Sequence, residues 1–415
     1  MTFATKLEKK IKSRKAVVGI IGVGYVGNAL GKGAADAGFE VIGFTRSAVK
    51  ADTINSSKKF GYFATANPED LKKCDVLAIC VPTPIHEDKS PDLEPLEFAL
   101  DLAAKNLKKG ALVIIESTIA AGTTRNVALP ILKTTGLKEE EEFFLSFSPE
   151  RVDPGNKKFT ITNTPKVVAG LSPVSKNLVT EFYKAFVEKV VAVSNLEAAE
   201  LSKLLENTFR FINISFMNEL LTYANGLDVD LWEVIDASAS KPFGFMPHYP
   251  GPGIGGHCIA IDPYYLLDDA RKRGLNLGMI EQAGKVNDKQ PKKIVEKALE
   301  VIGKTNGKKE NHQALIVGIS YKEDVDDRRE SPSLKIWKML EEENVSVSYY
   351  DPYFPNVNGK DSTEPSAKSL SEHDVIILAT PHQVIDYSQI LNSNIPIIDP
   401  KNALKNYSHP HIYRI

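Results

Sequence analysis

The chain has 415 residues, of which 42% are hydrophobic and 25% are charged, and its formal net charge is -2. This length is too great for a single hydrophobic core and predicts two or three domains. The near-neutral charge argues against a general binder of nucleic acid. The sequence has no apolar run near the roughly 20 residues of a membrane helix, and its charged N-terminus lacks the apolar core of a signal peptide. We therefore expect a cytoplasmic protein that does not bind a membrane.

The first two hundred residues alternate short apolar strands with helices, after a charged N-terminal helix that we expect to be solvated. The pattern predicts strands at 16–22, 40–44, 76–81, 112–116, 143–147 and 166–169, with helices at about 25–38 and 95–107. Strands that alternate with helices favour a parallel, doubly wound sheet. Cys74 and Cys80 flank one apolar strand and are expected in the core. The spacing of cysteine and histidine residues indicates no metal site.

A glycine-rich turn joins the first strand to the helix that follows it. Gly22, Gly24 and Gly27 form the pattern G-x-G-x-x-G. In this pattern the first glycine makes a tight turn, the second lets the backbone approach a pyrophosphate, and the third allows the helix to pack closely on the strand. Tyr25 and Val26 open the helix whose N-terminus would receive the phosphates. The sequence therefore predicts a dinucleotide site, and a turn without a ligand is the alternative.

The second strand lacks the acidic residue that commonly binds the adenosine ribose. Thr45 and Arg46 stand at its end instead, and they could accommodate a 2′-phosphate. From the residues alone, a nicotinamide cofactor is expected and the choice between NAD and NADP stays open.

Polar residues follow several later strands, at the edge where a doubly wound sheet forms its ligand crevice. Pro82 and Thr83 follow one strand and Thr118 follows another, so their side chains could contact the cofactor or a catalytic water. Ordinary loop capping is the alternative for each. Glu150 follows a further strand and comes directly after a proline, which suits a positioned acid/base carboxylate. A surface ion pair is the other interpretation of Glu150.

One long helix is predicted from Leu196 to about Gly226, because apolar residues recur there at helical spacing. Lys203, Asn207 and Arg210 share one face of this helix. A lysine near a buried site can stabilise an oxyanion, and an amide can position a hydroxyl or a water. A solvated face is the simpler interpretation of each residue taken alone. A second helical region is predicted at 229–239.

The segment from Gly251 to Cys258 is rich in glycine and presents one cysteine, with Asp262 four residues downstream. Glycine permits positive φ and a close approach to a ligand, so the thiol can lie at a pocket wall. A nucleophilic thiol together with a dinucleotide site indicates a covalent oxidation through a thioester. An inert cysteine in a packed loop is the alternative.

The C-terminal part resumes the alternation of strands and helices, after a helix at about 291–302 and a polar linker at 303–311. Strands are predicted at 314–318, 346–350, 375–379 and 396–398, with a helix at 334–342. This pattern predicts a second doubly wound unit. The charged segment from Tyr321 to Pro332 follows its first strand directly, as a phosphate and sugar clamp would. A solvated loop is the alternative.

In this order, the motifs resemble the nucleotide-sugar 6-dehydrogenase family, which is the UDP-glucose/GDP-mannose dehydrogenase superfamily. The resemblance runs from Gly22 to about Asn402, and the segments 148–155 and 250–259 are most similar to UDP-N-acetylglucosamine 6-dehydrogenases. It implies a four-electron oxidation of the C6 hydroxyl of a UDP-N-acetylhexosamine to the uronate, through a thiohemiacetal and a thioester on Cys258. UDP-N-acetylglucosamine is the first expectation. UDP-glucose, UDP-N-acetylmannosamine and UDP-N-acetylgalactosamine are the alternatives.

The resemblance also implies roles for residues at matching positions. The catalytic residues are expected to be Cys258 as nucleophile with Lys203, Asn207, Asp262, Glu150 and Thr118. The cofactor is expected to contact Gly22, Gly24, Tyr25, Val26, Gly27, Thr45, Arg46, Pro82, Thr83, Thr118 and Arg329. The substrate is expected to contact Glu150, Arg151, Val152, Lys203, Asn207, Arg210, Gly255, Tyr321 and Lys322.

The expected fold class is α/β, with two Rossmann-like doubly wound domains joined by a long central helix and a helical middle domain. The expected domains are 1–195 for the dinucleotide, 196–303 for the cysteine loop and a dimer surface, and 304–415 for the UDP-sugar. The resemblance implies a homodimer formed through the long helix.

Three positions depart from the family pattern. Thr45 replaces an acid, Ala260 replaces a frequent proline, and Lys401 replaces a frequent arginine. A lysine cannot copy the bidentate recognition of phosphate by arginine. Two other functions stay open: a β-hydroxyacid or 6-phosphogluconate-type dehydrogenase, and a nucleotide-sugar sensor without turnover.

Overall fold

The computed structural model describes residues 1–57, 59–153, 155–156, 158–306, 311–407 and 409–415, with the side chains of 305 and 306 excepted. These residues form two compact units. The N-terminal unit comprises Met1–Glu206 and Tyr264–Leu275, and the C-terminal unit comprises Asn207–Pro263 and Asn276–Ile415. The predicted division into three domains is finer than this one and stays a prediction.

The N-terminal unit is built on one eight-stranded sheet with helices between its strands. Its strands are β1 (Val17–Ile21), β2 (Glu40–Phe44), β3 (Phe63–Thr65), β4 (Val76–Ile79), β5 (Ala111–Ile115), β6 (Phe143–Phe147), β7 (Lys166–Gly170) and β8 (Val190–Ala192). Its helices are α1 (Phe3–Lys12), α2 (Tyr25–Asp36), α3 (Ala48–Ser57), α4 (Glu94–Lys105), α5 (Leu129–Lys133) and α6 (Pro173–Tyr183). A 3₁₀ turn at Pro68–Lys73 and a π-helical turn at Thr124–Ala128 complete the set.

The strand order in this sheet is β3-β2-β1-β4-β5-β6-β7-β8. The expected parallel, doubly wound arrangement is confirmed from β3 through β6, whereas β7 pairs antiparallel with β6. Because β7 is reversed, its first residue lies at the edge of the sheet where β6 ends. The alternation of strands and helices did not predict this reversal.

The two faces of the sheet carry separate hydrophobic clusters, as a parallel sheet covered by helices on both sides requires. Cys74 and Cys80 are buried, as expected. The prediction of a solvated N-terminal helix is wrong for one face of α1. Leu7 and Ile11 are 3% and 0% exposed and join the cluster that includes Phe182, because α1 is amphipathic and packs against α6.

The long helix α7 spans Leu196–Gly226, which confirms the predicted element. The boundary between the two units falls within it, after Glu206. It is followed by α8 (Leu231–Ala239) and α9 (Asp262–Lys272). The sequence reading did not predict α9, which begins at the aspartate downstream of the cysteine.

The C-terminal unit holds a second, five-stranded parallel sheet with the order β10-β9-β13-β14-β15. Its strands are β9 (His312–Val317), β10 (Val345–Tyr350), β11 (Asn356–Val357), β12 (Lys360–Asp361), β13 (Val375–Leu378), β14 (Ile397–Asp399) and β15 (Ile412–Arg414), with β11 and β12 forming a small separate pair. Its helices are α10 (Gly278–Asn306), α11 (Pro332–Glu342), α12 (Ala367–Leu370) and α13 (Ser388–Leu391). The second doubly wound unit is confirmed.

Two boundaries differ from the prediction in this region. The helix expected from Pro291 is α10, which begins at Gly278 and contains Pro291 in its interior. A proline is best tolerated in the first turn of a helix, which is why the sequence favoured a start there. The same helix continues to Asn306, so the first part of the predicted linker is helical, and 307–310 lie outside the described residues. Pro154, part of the predicted loop at 148–155, also lies outside them.

Among the described residues, the structure contains no helix that is long and apolar enough to cross a bilayer.

Candidate active site

The glycine-rich turn has the backbone geometry that the fingerprint predicts. Gly22 has φ +99°, and a Cβ there would lie 2.8 Å from the carbonyl oxygen of Cys80. A Cβ on Gly27 would lie 2.1 Å from the carbonyl oxygen of Gly22, so only glycine allows α2 to approach β1 this closely. In contrast, a Cβ on Gly24 would meet no described atom within 4 Å. The backbone is therefore open at Gly24, where the second glycine of a dinucleotide site lets a pyrophosphate approach.

The start of α2 fits the same ligand. The N-cap is Gly24, which has no side chain to satisfy the first N–H groups, and Tyr25 and Val26 begin the helix. These N–H groups can donate to phosphate oxygens. Tyr25 is half exposed, and partial burial raises the pKa of its hydroxyl, with the charges of Asp153 and Glu150 adding to the effect. The residues present therefore fit a bound dinucleotide.

The end of β2 carries no carboxylate. The Arg46 guanidinium lies 5.6 Å from the centre of the exposed Phe98 ring. The Thr45 hydroxyl accepts a hydrogen bond from the Ser47 N–H at 3.4 Å. Asp70, in the 3₁₀ turn that follows β3, pairs with Lys73 at 2.8 Å. Arg46 is thus an exposed cation at the end of β2, and its contact with the cofactor stays a prediction.

The loops after β4 and β5 differ in exposure. Pro82 is exposed and Thr83 is buried, while Thr118 is partly buried. The carbonyl oxygen of Pro84 accepts a hydrogen bond from the Tyr265 hydroxyl at 3.1 Å. Tyr265, on α9, therefore ties this loop down within the N-terminal unit.

Glu150 is buried in an ion cluster rather than paired on the surface. Its Oε1 accepts from the backbone N–H groups of Arg151 and Val152 at 2.7 and 2.6 Å, and its Oε2 lies 3.1 Å from Lys166 Nζ. The interpretation as a surface ion pair is therefore wrong. Burial alone would raise the pKa of Glu150, but Lys166 and the two N–H donors outweigh it and lower the pKa. Glu150 is a fixed carboxylate.

The side chain of Arg151 reaches in another direction. Its guanidinium pairs with Glu206 at 2.7 Å and donates to the Pro165 carbonyl oxygen at 2.8 Å. The Pro165 contact fastens the loop after β6 to the residue that precedes β7.

On α7, Lys203 and Asn207 are buried, with exposures of 9% and 6%, whereas Arg210 is exposed. A solvated face is therefore wrong for the first two residues and right for Arg210. Asn207 Nδ2 donates to Asp262 Oδ2 at 2.5 Å, which brings together two of the predicted catalytic residues. Within the N-terminal unit, Glu200 accepts from the Gly122 and Thr124 N–H groups at 2.5 and 2.8 Å. These bonds fasten the turn of α7 that precedes Lys203 to the segment after Thr118.

Two asparagine side chains hold the cysteine loop within the C-terminal unit. Asn218 Oδ1 accepts from the Gly251 N–H at 2.8 Å, and Asn287 Oδ1 accepts from the Ile254 N–H at 2.7 Å. Both side chains are buried. The Lys401 side chain also reaches this loop. A Cβ added to Gly251 would lie 3.2 Å from Lys401 Nζ. The loop is thus fixed at its start and its middle.

The end of the same loop packs against the charged segment after β9. Gly256 has φ +83° and donates its N–H to the Arg329 carbonyl oxygen at 3.0 Å. A Cβ on Gly256 would lie 2.5 Å from the Tyr321 ring, and one on Gly255 would lie 2.7 Å from the Glu330 carbonyl oxygen. The glycine pair therefore allows the loop to contact Tyr321, which joins two of the predicted substrate residues, Gly255 and Tyr321.

Cys258 is exposed at the end of this loop. The Arg329 guanidinium lies in electrostatic range of its sulfur. A hydrogen bond with Asp327 raises the pKa of Arg329, burial opposes the shift, and the charge of Cys258 adds to it. The alternative of a packed cysteine is therefore wrong as to burial, whereas the reactivity of the Cys258 thiol stays a prediction. Lys322 is partly buried on the same segment.

Each unit holds part of the predicted residue set. Thr118, Glu150 and Lys203 belong to the N-terminal unit, whereas Asn207, Cys258 and Asp262 belong to the C-terminal unit. The sequence reading missed Lys166, Glu116, Asn218 and Asn287. Lys166 had one visible signal, a charged residue that opens an otherwise apolar strand. The asparagines lie in helices with many polar positions and had none.

Models of known families match most of the chain. Residues 58–187, 197–289 and 315–406 match the NAD binding, central and UDP binding domains of the UDP-glucose/GDP-mannose dehydrogenase family. Residues 4–90, which include the glycine-rich turn, match the NAD binding domain of the D-isomer specific 2-hydroxyacid dehydrogenases.

Relatives match nearly end to end. The chain is 33% identical over 419 residues to the UDP-N-acetyl-D-mannosamine dehydrogenase of Pyrococcus horikoshii, covering 96% of this chain and 98% of the relative. It is 34% identical over 385 residues to the UDP-N-acetyl-D-glucosamine 6-dehydrogenase of Pseudomonas aeruginosa, covering 88% and 90%. A solved structure of the Pyrococcus horikoshii UDP-D-ManNAc dehydrogenase matches with a TM-score of 0.88 and 32% identity, covering 96% of this chain and 98% of that one.

Proposed function

The chain belongs to the UDP-glucose/GDP-mannose dehydrogenase family, and we propose that it oxidises the C6 hydroxyl of a UDP-N-acetylhexosamine to the uronate through a thioester on Cys258. It is an NAD-dependent oxidoreductase of the UDP-sugar dehydrogenase class. NAD, when bound, accepts one hydride in each of the two oxidation steps. The observation that carries the proposal is the exposed Cys258 at the end of a glycine loop that two buried asparagine side chains hold by hydrogen bonds.

The proposed reaction begins with the loss of a hydride and a proton from the C6 alcohol, which gives an aldehyde. The Cys258 thiolate then bonds to the aldehyde carbon. The former aldehyde oxygen takes up a proton, which gives a thiohemiacetal. The thiohemiacetal loses a second hydride and a proton and becomes a thioester. Water adds to the thioester carbon, the carbon–sulfur bond breaks, and the uronate leaves with the thiol restored. Covalent capture keeps the aldehyde from escaping between the two oxidations.

The proposed roles follow from the surroundings of each residue. A thiol ionises readily beside a cation, and Arg329 supplies one within the C-terminal unit. Asp262 is oriented by the Asn207 amide. It is proposed to exchange protons with the thiol and with the reacting hydroxyl. Lys203, buried on α7, is proposed to stabilise the oxyanions.

Hydrolysis of the thioester needs a directed water. Thr118 and Glu150 are proposed to orient it, because Thr118 offers a hydroxyl and Glu150 a carboxylate at the carboxyl edge of the N-terminal sheet. The fixed position of the Glu150 oxygens supports this role. The remaining residues expected to bind substrate or cofactor stay predictions.

The identity of the sugar is the finer part of the proposal. UDP-N-acetylglucosamine is retained from the sequence as the first candidate. UDP-N-acetylmannosamine is the specific rival, because a relative named as its dehydrogenase matches almost the whole chain. Only the configuration at the C2 carbon separates these two sugars.

The test is turnover with a panel of UDP-sugars and excess NAD, following reduced cofactor at 340 nm and the sugar product by mass spectrometry. A UDP-N-acetylhexosamine is expected to give two reduced cofactors per uronate, with a higher kcat/KM than UDP-glucose. One reduced cofactor per sugar, with aldehyde released, would refute the thioester route. Binding of a UDP-sugar without turnover would favour the sensor.

A homodimer through α7 is part of the proposal. Large apolar side chains are exposed at intervals of about one or two turns along this helix: Leu201, Leu205, Phe209, Phe216 and Tyr223. Exposed apolar surface of this extent is typical of an interface with another chain. The cytoplasmic location expected from the sequence stays a prediction.

A further inference from the structure

Glu150 belongs to a group of buried ionisable side chains, and the proposed reaction uses no other member of it. Lys166 Nζ is 2.6 Å from Glu116 Oε2 and 3.1 Å from Glu150 Oε2. The Lys166 and Glu116 side chains are 3% and 0% exposed. We propose that Lys166 is the positioning residue for Glu150, and that Glu116 with Tyr183 holds Lys166 in place. The inference rests on the proposed role of Glu150 in hydrolysis.

The reversed strand β7 explains how Lys166 reaches this position. In the antiparallel register of β6 and β7, Ser146 faces Gly170 and Phe147 faces Ala169. If this register is continued for three residues past the end of β6, Glu150 lies opposite Lys166. In a wholly parallel sheet the first residue of a strand would lie at the far edge. The reversal therefore brings a lysine to the edge where the ligand crevice of a doubly wound sheet forms.

Both oxygens of Glu150 are engaged. Two backbone N–H groups hold Oε1 and Lys166 holds Oε2, so the carboxylate has little freedom to rotate. The lone pairs that these donors leave unused point in fixed directions. A carboxylate held in this way can orient a water by accepting its hydrogen bond, without first losing rotational freedom.

Lys166 is held in turn from its other side. Glu116 Oε2 accepts from its ammonium, and the Tyr183 hydroxyl donates to Glu116 Oε1. The ammonium also lies 5.3 Å from the centre of the Tyr183 ring. Burial raises the pKa of Glu116 to about 8, with Lys166 opposing and Glu150 reinforcing the shift. Burial lowers the pKa of Lys166, but its interactions with Glu116 and Glu150 outweigh burial and raise it.

A protein with three buried ionisable groups at this place is not expected to be more stable than one with apolar residues there. Replacing a buried ion pair by apolar residues of similar size is often neutral or stabilising. A functional requirement for a fixed charge explains why the group is present. In the described part of the chain, the titratable groups whose interactions reach Glu150 or Lys166 include Glu116, Tyr183, Cys80 and Tyr25. Asp153 acts on Tyr25, and the Arg151 guanidinium pairs with Glu206 instead.

The expected signature is a shift in pH dependence. In the native protein the pKa of Glu150 is lowered, because Lys166 and the backbone donors outweigh burial. Without Lys166 the burial remains and its main counterweight is gone, so the pKa of Glu150 rises. When the pH is lowered, the variant without Lys166 should therefore lose hydrolysis that depends on the Glu150 carboxylate at a higher pH than the native protein does.

The decisive comparison is between E116Q and E116Q/K166M. E116Q keeps the pair of Lys166 and Glu150, so it is the matched control. Single-turnover formation of uronate is measured from pH 5 to 9, beside the rate of the first cofactor reduction. The acid limb of uronate formation is expected to move up by at least one pH unit in E116Q/K166M only, with the first reduction unchanged. Equal acid limbs in the two variants would overturn the proposal.

A second comparison tests the proposal even if a variant that carries K166M fails to fold. If Lys166 acts through Glu150, K166M should slow uronate formation in the E116Q background but not in the E116Q/E150Q background. If E116Q/K166M unfolds while E116Q/E150Q/K166M folds, the charge of Glu150 is what requires Lys166, and the proposal is supported. Unfolding of both variants, or equal slowing in both backgrounds, would make Lys166 merely structural and overturn it.

The pKa of Glu150 can also be measured without turnover. Carbon-13 NMR of protein labelled at the glutamate carboxyl carbon, with E150Q to assign the signal, reports its titration directly. A rise in this pKa from E116Q to E116Q/K166M supports the role of Lys166 even if no UDP-sugar is oxidised. Failure of the proposed function alone would leave this result intact, so the two failures can be told apart.

Discussion

The substitution Gly256→Ala tests whether the cysteine loop is held in place by the glycine pair. Gly256 has φ +83°, and a conformation of this kind destabilises a residue with a side chain by about 1–2 kcal/mol. The new Cβ would also lie 2.5, 2.8 and 2.9 Å from three atoms of the Tyr321 ring. Overpacking of this degree typically costs about 1–3 kcal/mol. The free energy of unfolding should therefore fall by about 2–5 kcal/mol.

The assay is thermal unfolding together with turnover. At about 2–4 °C per kcal/mol for domains of 150–250 residues, the melting temperature should fall by roughly 4–20 °C. Because Cys258 lies two residues further on, a displacement near 1 Å should lower kcat by roughly 100-fold. The control is Gly303→Ala in α10, where a Cβ meets no described atom within 4 Å, and stability should rise by about 0.5–1 kcal/mol. A Gly256→Ala enzyme with native melting temperature and kcat would refute the reasoning.

Three further predictions concern other parts of the site. Asn207→Ala removes the donor to Asp262, and kcat/KM should fall about 10- to 100-fold, since a hydrogen bond to a charged group contributes about 1.5–3 kcal/mol; an unchanged kcat/KM would contradict the role given to this pair. Thr45→Asp restores an acid for the ribose, so the ratio of kcat/KM for NAD to that for NADP should rise, and a ratio that stays constant would show that this position does not contact the cofactor. If the proposed dimer forms through α7, Leu205→Glu, at a side chain 63% exposed on this helix, should give a monomer in size-exclusion chromatography with light scattering. Val384→Glu, 66% exposed elsewhere, should leave the proposed dimer intact, and a native-sized Leu205→Glu protein would contradict this interface.

The sequence predicted those features that depend on local chemistry. The turn at Gly22 and the helix from Leu196 were predictable because glycine spacing and helical periodicity are properties of a short segment. The cysteine loop was predictable for the same reason. The exposure of its thiol was not settled by the segment, because a packed, inert cysteine was an open alternative until the structure showed Cys258 exposed.

The features that were missed depend on contacts distant in sequence. The contact of Lys166 with Glu150 depends on the direction of β7, and no property of residues 166–170 distinguishes a parallel from an antiparallel neighbour. Asn218 and Asn287 hold the cysteine loop from helices 33 residues away on either side. Arg329 was predicted as a ligand-binding residue, but its effect on Cys258 became visible only once the loop was seen against the segment after β9.

Acid quench of the enzyme during turnover, followed by mass spectrometry of its peptides, tests most directly whether the reaction passes through the sulfur of Cys258. A sugar adduct is predicted on the peptide that contains Cys258, and it should form only when both NAD and the UDP-sugar are present. Accumulation of uronate with two reduced cofactors per sugar, while every peptide with Cys258 stays unmodified throughout turnover, would contradict the account.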